Sequence, residues 1–399
     1  MKAFDTAIIG GGLVGACLAV GLARAGRRIA VVEAIERQSG DRPSYDDRTL
    51  VINAASLNIL SNLGLLPASL DRVPLRHIDI TRAGGFGHLR LSAGEFGREQ
   101  FGAVIVAREL GRVLLDALED NDRIEVLCPE QLRTFSVEPD GVNVELESGE
   151  KLSARLLAGA DGNRSRVREL AGLHCQVHDY GQSAMIFNCR PDHAPPATAW
   201  ERFTERGPLA LLPQPAGQVG VVWIDETRAI DAAMELTDDE LSARLHQRFG
   251  PSLGQFKAPG KRARYPLLRQ RTPWPIGRRL VVVGNAANAV HPVSAQGFNL
   301  GLRDVGGLID ALAGAEDCGE SDRLQFYARA RQTDQEATVR YTDTLARGFT
   351  NPSLLAQLAG GLGLAAHAAL PGLKRRLVHA TMGFREPVCS LARAPEKAA

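Results

Sequence analysis

Short apolar runs that end on glycine alternate with longer helical periodicities along the first third of the chain. Residues 7–9 form a continuous apolar run of strand length, stopped by Gly10-Gly11-Gly12. Residues 13–25 follow with apolar side chains on nearly every face, the pattern of a buried helix, and "RRIAVVEA" returns to a strand. "RTLVINAASLNILSNLGLL" (48–66) reads as a second, amphipathic helix with a stop at Gly64, behind a polar loop, "SGDRPSYDDR" (39–48), too charged for core. "HIDITRA" is a strand, and residues 103–120 read as a strand entering a helix. Residues 124–162 read as a series of strands with turns at Asp140-Gly141, Ser148-Gly149 and Asp161-Gly162.

The pattern changes between about 178 and 270. Pro208, Pro213 and Pro215 fall among short β-rich segments, and helical periodicity shows only near 237–249, as expected of an inserted antiparallel sheet. At 279 "RLVVVGNAA" restores the earlier style, so the first domain is discontinuous and closes its sheet with a late strand. Residues 297–312 and most of 322–383 read as helix. The fold class is therefore α/β, with a Rossmann-type domain, an inserted antiparallel β-sheet domain and a C-terminal helical region.

Composition narrows the function classes. A chain of 399 residues, 44% hydrophobic and 23% charged with a net charge of +1, has neither the basic excess of a nucleic-acid binder nor the composition of a disordered chain. Its six cysteines show no CxxC spacing and read as reduced thiols of a cytoplasmic protein. His174, Cys175 and His178 cluster locally, but no acidic partner or second cluster supports a metal site, and none is expected. The apolar N-terminal stretch resembles a signal peptide only until its three successive glycines and Asp5 are weighed.

The chemistry begins at Gly10-x-Gly12-x-x-Gly15, with Glu33 18 residues later at the end of the next strand. Gly10 permits the turn, Gly12 lets a pyrophosphate approach the N–H groups of the helix N-terminus, and Gly15 lets helix and strand pack closely. Glu33 would accept from ribose hydroxyls. The fingerprint points to an ADP-containing cofactor without deciding between FAD and NAD(P).

Three separated segments, "GGGLVG" with Glu33, "LLAGADGNRSRVRE" (156–169) and "LVVVGNAANAVHPVSAQGFNLGLRDV" (280–305), resemble in order and spacing the flavin-dependent aromatic hydroxylases of the para-hydroxybenzoate hydroxylase type. Within that family, "WERFTERGPLALLP" and "GNAA…HP…QGFNLGLRD" look closest to the 2-polyprenyl-6-methoxyphenol hydroxylases of ubiquinone biosynthesis. The resemblance implies FAD, with NAD(P)H as a transient donor that has no fingerprint of its own. It also implies O2, and oxygen transfer from a flavin hydroperoxide to the ring of a polyprenyl phenol. It puts Glu33 on the adenosine ribose, Arg48 and Arg108 along the ribityl and pyrophosphate portion, and Asp161-Gly162 close to FAD and the nicotinamide nucleotide. Gly284 and Asn285 would touch the ribityl and phosphate end; Gln296, Gly297 and Asn299 would surround the flavin's pyrimidine edge. Much of the family has Asp where Asn285 stands and Gly where Ala295 stands.

On this reading 1–75, 100–177 and 272–345 form the FAD-binding domain, 76–99 and 178–271 the substrate-binding sheet domain, and 346–399 the C-terminal helical region. Other ubiquinone-biosynthesis proteins are implied as partners. Two rival functions stand beside it: an FAD-dependent oxidase or reductase that never hydroxylates, and a flavin-holding scaffold of a biosynthetic complex. Another ring hydroxylase of the same pathway is the near alternative.

Several residues admit a plain and a sharp reading. Arg164, Arg166 and Arg168 are either a solvated face or a guide for a phosphate of NADPH. His291 is either an ordinary structural histidine or a donor and proton shuttle at the ring, the one catalytic candidate. Phe187, Phe203 and Trp223 are core or cavity wall. "LLAQLAGGLGLAAHAALPGLKRR" is a packed helical region or a peripheral contact on the inner face of the membrane, suited to a polyprenyl substrate. No residue declares itself as the base for the phenol.

Overall fold

The computed structural model describes residues 2–36, 46–84, 87–350 and 354–394, with backbone alone for 349–350 and 354–359. The polar loop expected at 39–48 lies outside the described residues apart from its last three. Strand Lys2–Ile9, the Gly10–Gly12 turn, helix Leu13–Arg24 and strand Ile29–Val32 follow the pattern read from the N-terminus. Lys2–Ile9 pairs in parallel with Ile29–Val32 on one side and with Lys151–Gly159 on the other. Ile124–Leu127 extends the sheet at one edge and the late strand Leu280–Val282 at the other, both in parallel. Because both faces are covered, Ile29–Val32, Leu280–Val282 and the last residues of Lys2–Ile9 and Lys151–Gly159 are apolar runs rather than alternating, and Ile8, Val31 and Val281 are wholly buried.

A second, nine-stranded sheet carries the long strand Gln176–Pro191, flanked by Ala263–Arg271 and Val219–Glu226 in antiparallel register. It continues through Gly207–Pro213 and Thr198–Thr204 to His77–Arg82 and His88–Ser92. Two helices, Thr227–Met234 and Asp238–Phe249, cover one face and bury Phe187 and Trp223 beneath them. The first of these helices escaped the sequence reading, because at eight residues it is too short for its periodicity to stand out.

A further correction concerns 48–66. Its first part is strand Thr49–Asn53, paired antiparallel with Gly102–Val106; only Ala54–Asn62 is helical. The β-branched Thr49, Val51 and Ile52 favour the extended form. Asn53 then starts the helix by accepting the Ser56 N–H on its side-chain oxygen at 3.0 Å.

The C-terminal third is helical: Gln296–Leu312, Ser321–Thr350, Leu354–Ala369 and Pro371–Thr381. The first two are locked by a buried ionic network. Arg303 and Arg331 each reach Asp334 at 2.7 Å, and Arg331 also reaches Asp304 at 3.0 Å. Burial raises the Asp334 carboxyl, but Arg303 and Arg331 outweigh it and hold the group ionised below the usual carboxylate range. Among the described residues, no helix is long and apolar enough to cross a membrane.

Candidate active site

The first turn sets one end of the site. Gly10 has φ +102°, and a Cβ there would lie 2.5 Å from the Ala160 carbonyl oxygen; a Cβ on Gly15 would lie 1.9 Å from the Gly10 oxygen. Glycine is therefore required at both positions by close backbone approach. Glu33 sits at the end of its strand with one oxygen accepting the Gly11 N–H at 2.7 Å and the other accepting the Ile35 N–H at 2.9 Å.

Two helices aim their N-termini at the same space. Leu13–Arg24 begins behind Gly12 and Gln296–Leu312 behind Ala295; neither has a side-chain cap or an acidic residue in its first turn. First-turn N–H groups have no partner within the helix, and the positive dipole end favours an anion. Asp161 lies beside the Gly10 turn. One of its oxygens caps the helix Arg166–Leu170, accepting from the N–H groups of Arg166 and Val167 at 2.7 and 3.1 Å. Its other oxygen is buried with no hydrogen-bond partner among the described residues. Uncapped helix ends and a waiting acceptor suit a phosphate-bearing cofactor that also presents hydroxyls.

These groups open onto one cavity of about 710 Å³, within the usual size range for ligand sites. Of the residues chosen from sequence, Gly12, Arg48, Gly162, Asn285, Gln296 and Gly297 are on its wall, as is Asn299. Asn285 is exposed there, whereas Asn299 is buried and fully engaged. Its oxygen accepts the Asn53 N–H at 2.9 Å, and its amide donates to the carbonyls of Val51 and Ala295 at 2.8 and 2.7 Å. It thereby ties strand Thr49–Asn53 to the loop before the last sheet-facing helix. Gly10, Gly15, Glu33, Asp161 and Gly284 form the layer behind the wall.

Arg108 and His291 are off the wall as well. Arg108 is exposed and paired with Asp47 and Glu109. His291 is fully buried, packs edge-on against Tyr180 with ring centroids 5.0 Å apart, and accepts the Val293 N–H at 3.2 Å on Nδ1. Burial lowers its pKa to about 4, so the ring is neutral at ordinary pH. Arg168 is clasped on the carbonyl oxygens of Ala286 and Asn163, both at 2.8 Å, and Arg166 pairs with Glu169 at 3.0 Å.

The loop under the cavity is bent sharply. Ser294 (φ +66°) and Ala295 (φ +49°, ψ +41°) are successive left-handed residues, a conformation that favours glycine.

The wall also holds residues that sequence reasoning missed. Tyr265 is hydrogen-bonded to Asp46 and lies under the Arg48 guanidinium, 5.8 Å from ring centroid to Cζ. Glu201 comes from strand Thr198–Thr204, Tyr341 from helix Ser321–Thr350, and His367 from Leu354–Ala369; of the three aromatics that could have lined a cavity, Phe203 does, while Phe187 and Trp223 are core. Beyond them the wall is apolar, with Leu89 from the second sheet, Leu75 and Phe101 from beside strand Gly102–Val106, and Leu364, Leu377 and Met382 from the C-terminal helical region. Nothing local in the sequence predicts that these distant helices close over the sheet.

Comparison with known proteins agrees with this geometry. A family model described as an FAD binding domain matches residues 3–342. The ubiquinone hydroxylase UbiL of Rhodospirillum rubrum is 32% identical over 387 residues, spanning 96% of this chain and 90% of its own length. The 3-demethoxyubiquinol 3-hydroxylase of Escherichia coli is 31% identical, spanning 95% of this chain and 98% of its own. Among solved structures, the p-nitrophenol 4-monooxygenase PnpA of Pseudomonas putida superposes with a TM-score of 0.77 at 18% identity, covering 96% of this chain and all of that one; at that identity it shows the shared fold. The chain belongs to the FAD-dependent aromatic monooxygenases, in the family of the ubiquinone-biosynthesis hydroxylases.

Proposed function

We propose that the chain hydroxylates the ring of a polyprenylated phenol, first among them a 2-polyprenyl-6-methoxyphenol, using O2 and an NAD(P)H donor. The observation that carries this reading is the continuity of the cavity. One end receives two uncapped helix N-termini, and the other is an apolar wall closed by helices Leu354–Ala369 and Pro371–Thr381.

When bound, FAD supplies hydride acceptance and oxygen transfer. The chain's own groups do the rest. Glu33 would hold the adenosine ribose, the first-turn N–H groups of Leu13–Arg24 the pyrophosphate, and Arg48, Gly284, Asn285 and the free oxygen of Asp161 the ribityl end. The first-turn N–H groups of Gln296–Leu312 would hold the flavin's pyrimidine edge, where preorganised donors stabilise negative charge. The apolar wall takes the prenyl tail and keeps water from the reacting centre.

A second ring position is favoured by the E. coli relative, a 3-demethoxyubiquinol 3-hydroxylase. Gene deletion followed by mass spectrometry of the accumulated quinone precursor separates the two. Accumulation of the 2-polyprenyl-6-methoxyphenol itself supports the methoxyphenol step, and accumulation of a demethoxy quinol supports the later one. Unaltered quinone content in the deletion strain overturns both.

A further inference from the structure

Glu201 is the one acidic side chain on the cavity wall among the described residues. Along its strand, Ala199, Glu201 and Phe203 line the cavity, while Trp200 points the other way into the core beneath the sheet. Its neighbours across the two adjoining strands are Ile80 and Ala210, both apolar and both on the same wall. No hydrogen bond or ion pair to its carboxyl is found among the described residues. Tyr341 of helix Ser321–Thr350 and Ser294 of the bent loop before Gln296–Leu312 are on the same wall. The remaining titratable groups on the wall are Tyr341, Arg48, engaged with Asp46 at 3.2 Å, Tyr265, held by Asp46, and His367, whose Nδ1 is 2.8 Å from the Gly363 carbonyl oxygen.

An unpaired carboxyl in an apolar wall carries a desolvation cost, and such a group in a cleft is a functional-site candidate. Ring hydroxylation needs an electron-rich ring, and a phenol becomes far more so as its O–H proton is drawn away. Burial raises the Glu201 carboxyl to about 7. The mismatch with a phenol near 10 thus falls from about six to about three pKa units, and a base poised near neutrality is the effective one.

We propose that Glu201 is the proton acceptor of the site, taking the phenolic proton of a substrate ring held between the second sheet and the bent loop. The assignment rests on the hydroxylase reading above. In the step the phenol O–H bond breaks, its electron pair stays on oxygen and the proton bonds to a Glu201 oxygen; nothing is oxidised or reduced. The proton leaves to solvent when the product does.

The test compares the FAD-loaded parent with Glu201→Gln and Glu201→Asp, using 4-nitrophenol as a chromophoric probe on the oxidised protein, where nothing turns over. Phenolate absorbance is followed from about pH 5 to about pH 9. A carboxyl sharing a proton with the bound phenol gives two separated transitions, the behaviour of a coupled pair. The parent and Glu201→Asp are expected to show two, and Glu201→Gln one. With a prenylated phenol, Glu201→Gln is expected to keep KM and to lose about 100-fold in ring hydroxylation while still oxidising NAD(P)H. A single transition in the parent, the same as in Glu201→Gln, overturns the assignment, as does hydroxylation by Glu201→Gln within about threefold of the parent. A parent that shows two transitions yet hydroxylates no prenylated phenol overturns the functional reading instead, and the titration tells the two failures apart.

Discussion

Replacing Glu201 by Gln is expected to stabilise the protein, increasingly so as pH rises. The parent carboxyl titrates near 7 in the folded state because burial disfavours its charged form and near 4.3 in an unfolded chain. The folded protein therefore holds an extra proton between those values, and stability falls as pH rises through that window. At about 1.4 kcal/mol per pKa unit the full penalty is about 3–4 kcal/mol. Glu201 is partly rather than fully buried, and solvent screening reduces the figure to about 2–3 kcal/mol. The penalty is absent below about pH 4, grows to about pH 7 and is constant above it. Gln keeps the shape and removes the charge, so the variant should match the parent near pH 4 and exceed it by about 2–3 kcal/mol above pH 7. Urea unfolding of both proteins at saturating FAD, repeated across that range, reads the difference directly. A difference that stays flat or shrinks as pH rises would show the carboxyl to be hydrated or paired, and would remove the physical basis for calling it a base.

Other substitutions probe the rest of the account. Gly15→Ala drives a Cβ to 1.9 Å from the Gly10 oxygen, and flavin absorbance after gel filtration should show affinity for FAD down by about 100-fold or more, about 2.7 kcal/mol. Ala295→Gly relieves a left-handed alanine at φ +49° and should raise stability by about 0.5–1 kcal/mol after the extra entropy of the unfolded glycine is counted; a lower melting temperature would mean that the alanine methyl contributes more than its backbone costs. Asp334→Asn removes the shared partner of Arg303 and Arg331 and should cost about 3–5 kcal/mol in denaturant unfolding, the cost of leaving buried charge uncompensated.

Where a local pattern dictates a local structure, the sequence was legible. The strand, three glycines and helix at the N-terminus, the late strand Leu280–Val282 and the helix behind Ala295 stand where their patterns put them, because close backbone approach leaves few alternatives to glycine. The segment 48–66 misled because five strand residues precede the helix without a break, and an apolar run that short fits either period. Glu201 was invisible for a related reason. Glu201 and Arg202 are adjacent polar residues, and only the register with Ile80 and Ala210 decides which of them faces inward. Arg108 entered through the resemblance and His291 through a motif stretch, yet ion pairs with Asp47 and Glu109 engage one at the surface and complete burial holds the other against Tyr180. The closure of Leu364 and Met382 over Leu89 and Phe101 joins segments far apart in the chain, a tertiary contact that no local window contains.

The central claim is that this cavity transfers oxygen to a polyprenyl phenol. Incubating the FAD-loaded protein with NAD(P)H, a short-chain prenylated methoxyphenol and 18O2, followed by mass spectrometry of the phenol, tests it most directly. The account predicts one 18O atom on the ring of the product. Complete recovery of the consumed oxygen as hydrogen peroxide, with an unlabelled ring for methoxyphenol and demethoxyquinol substrates alike, would contradict it.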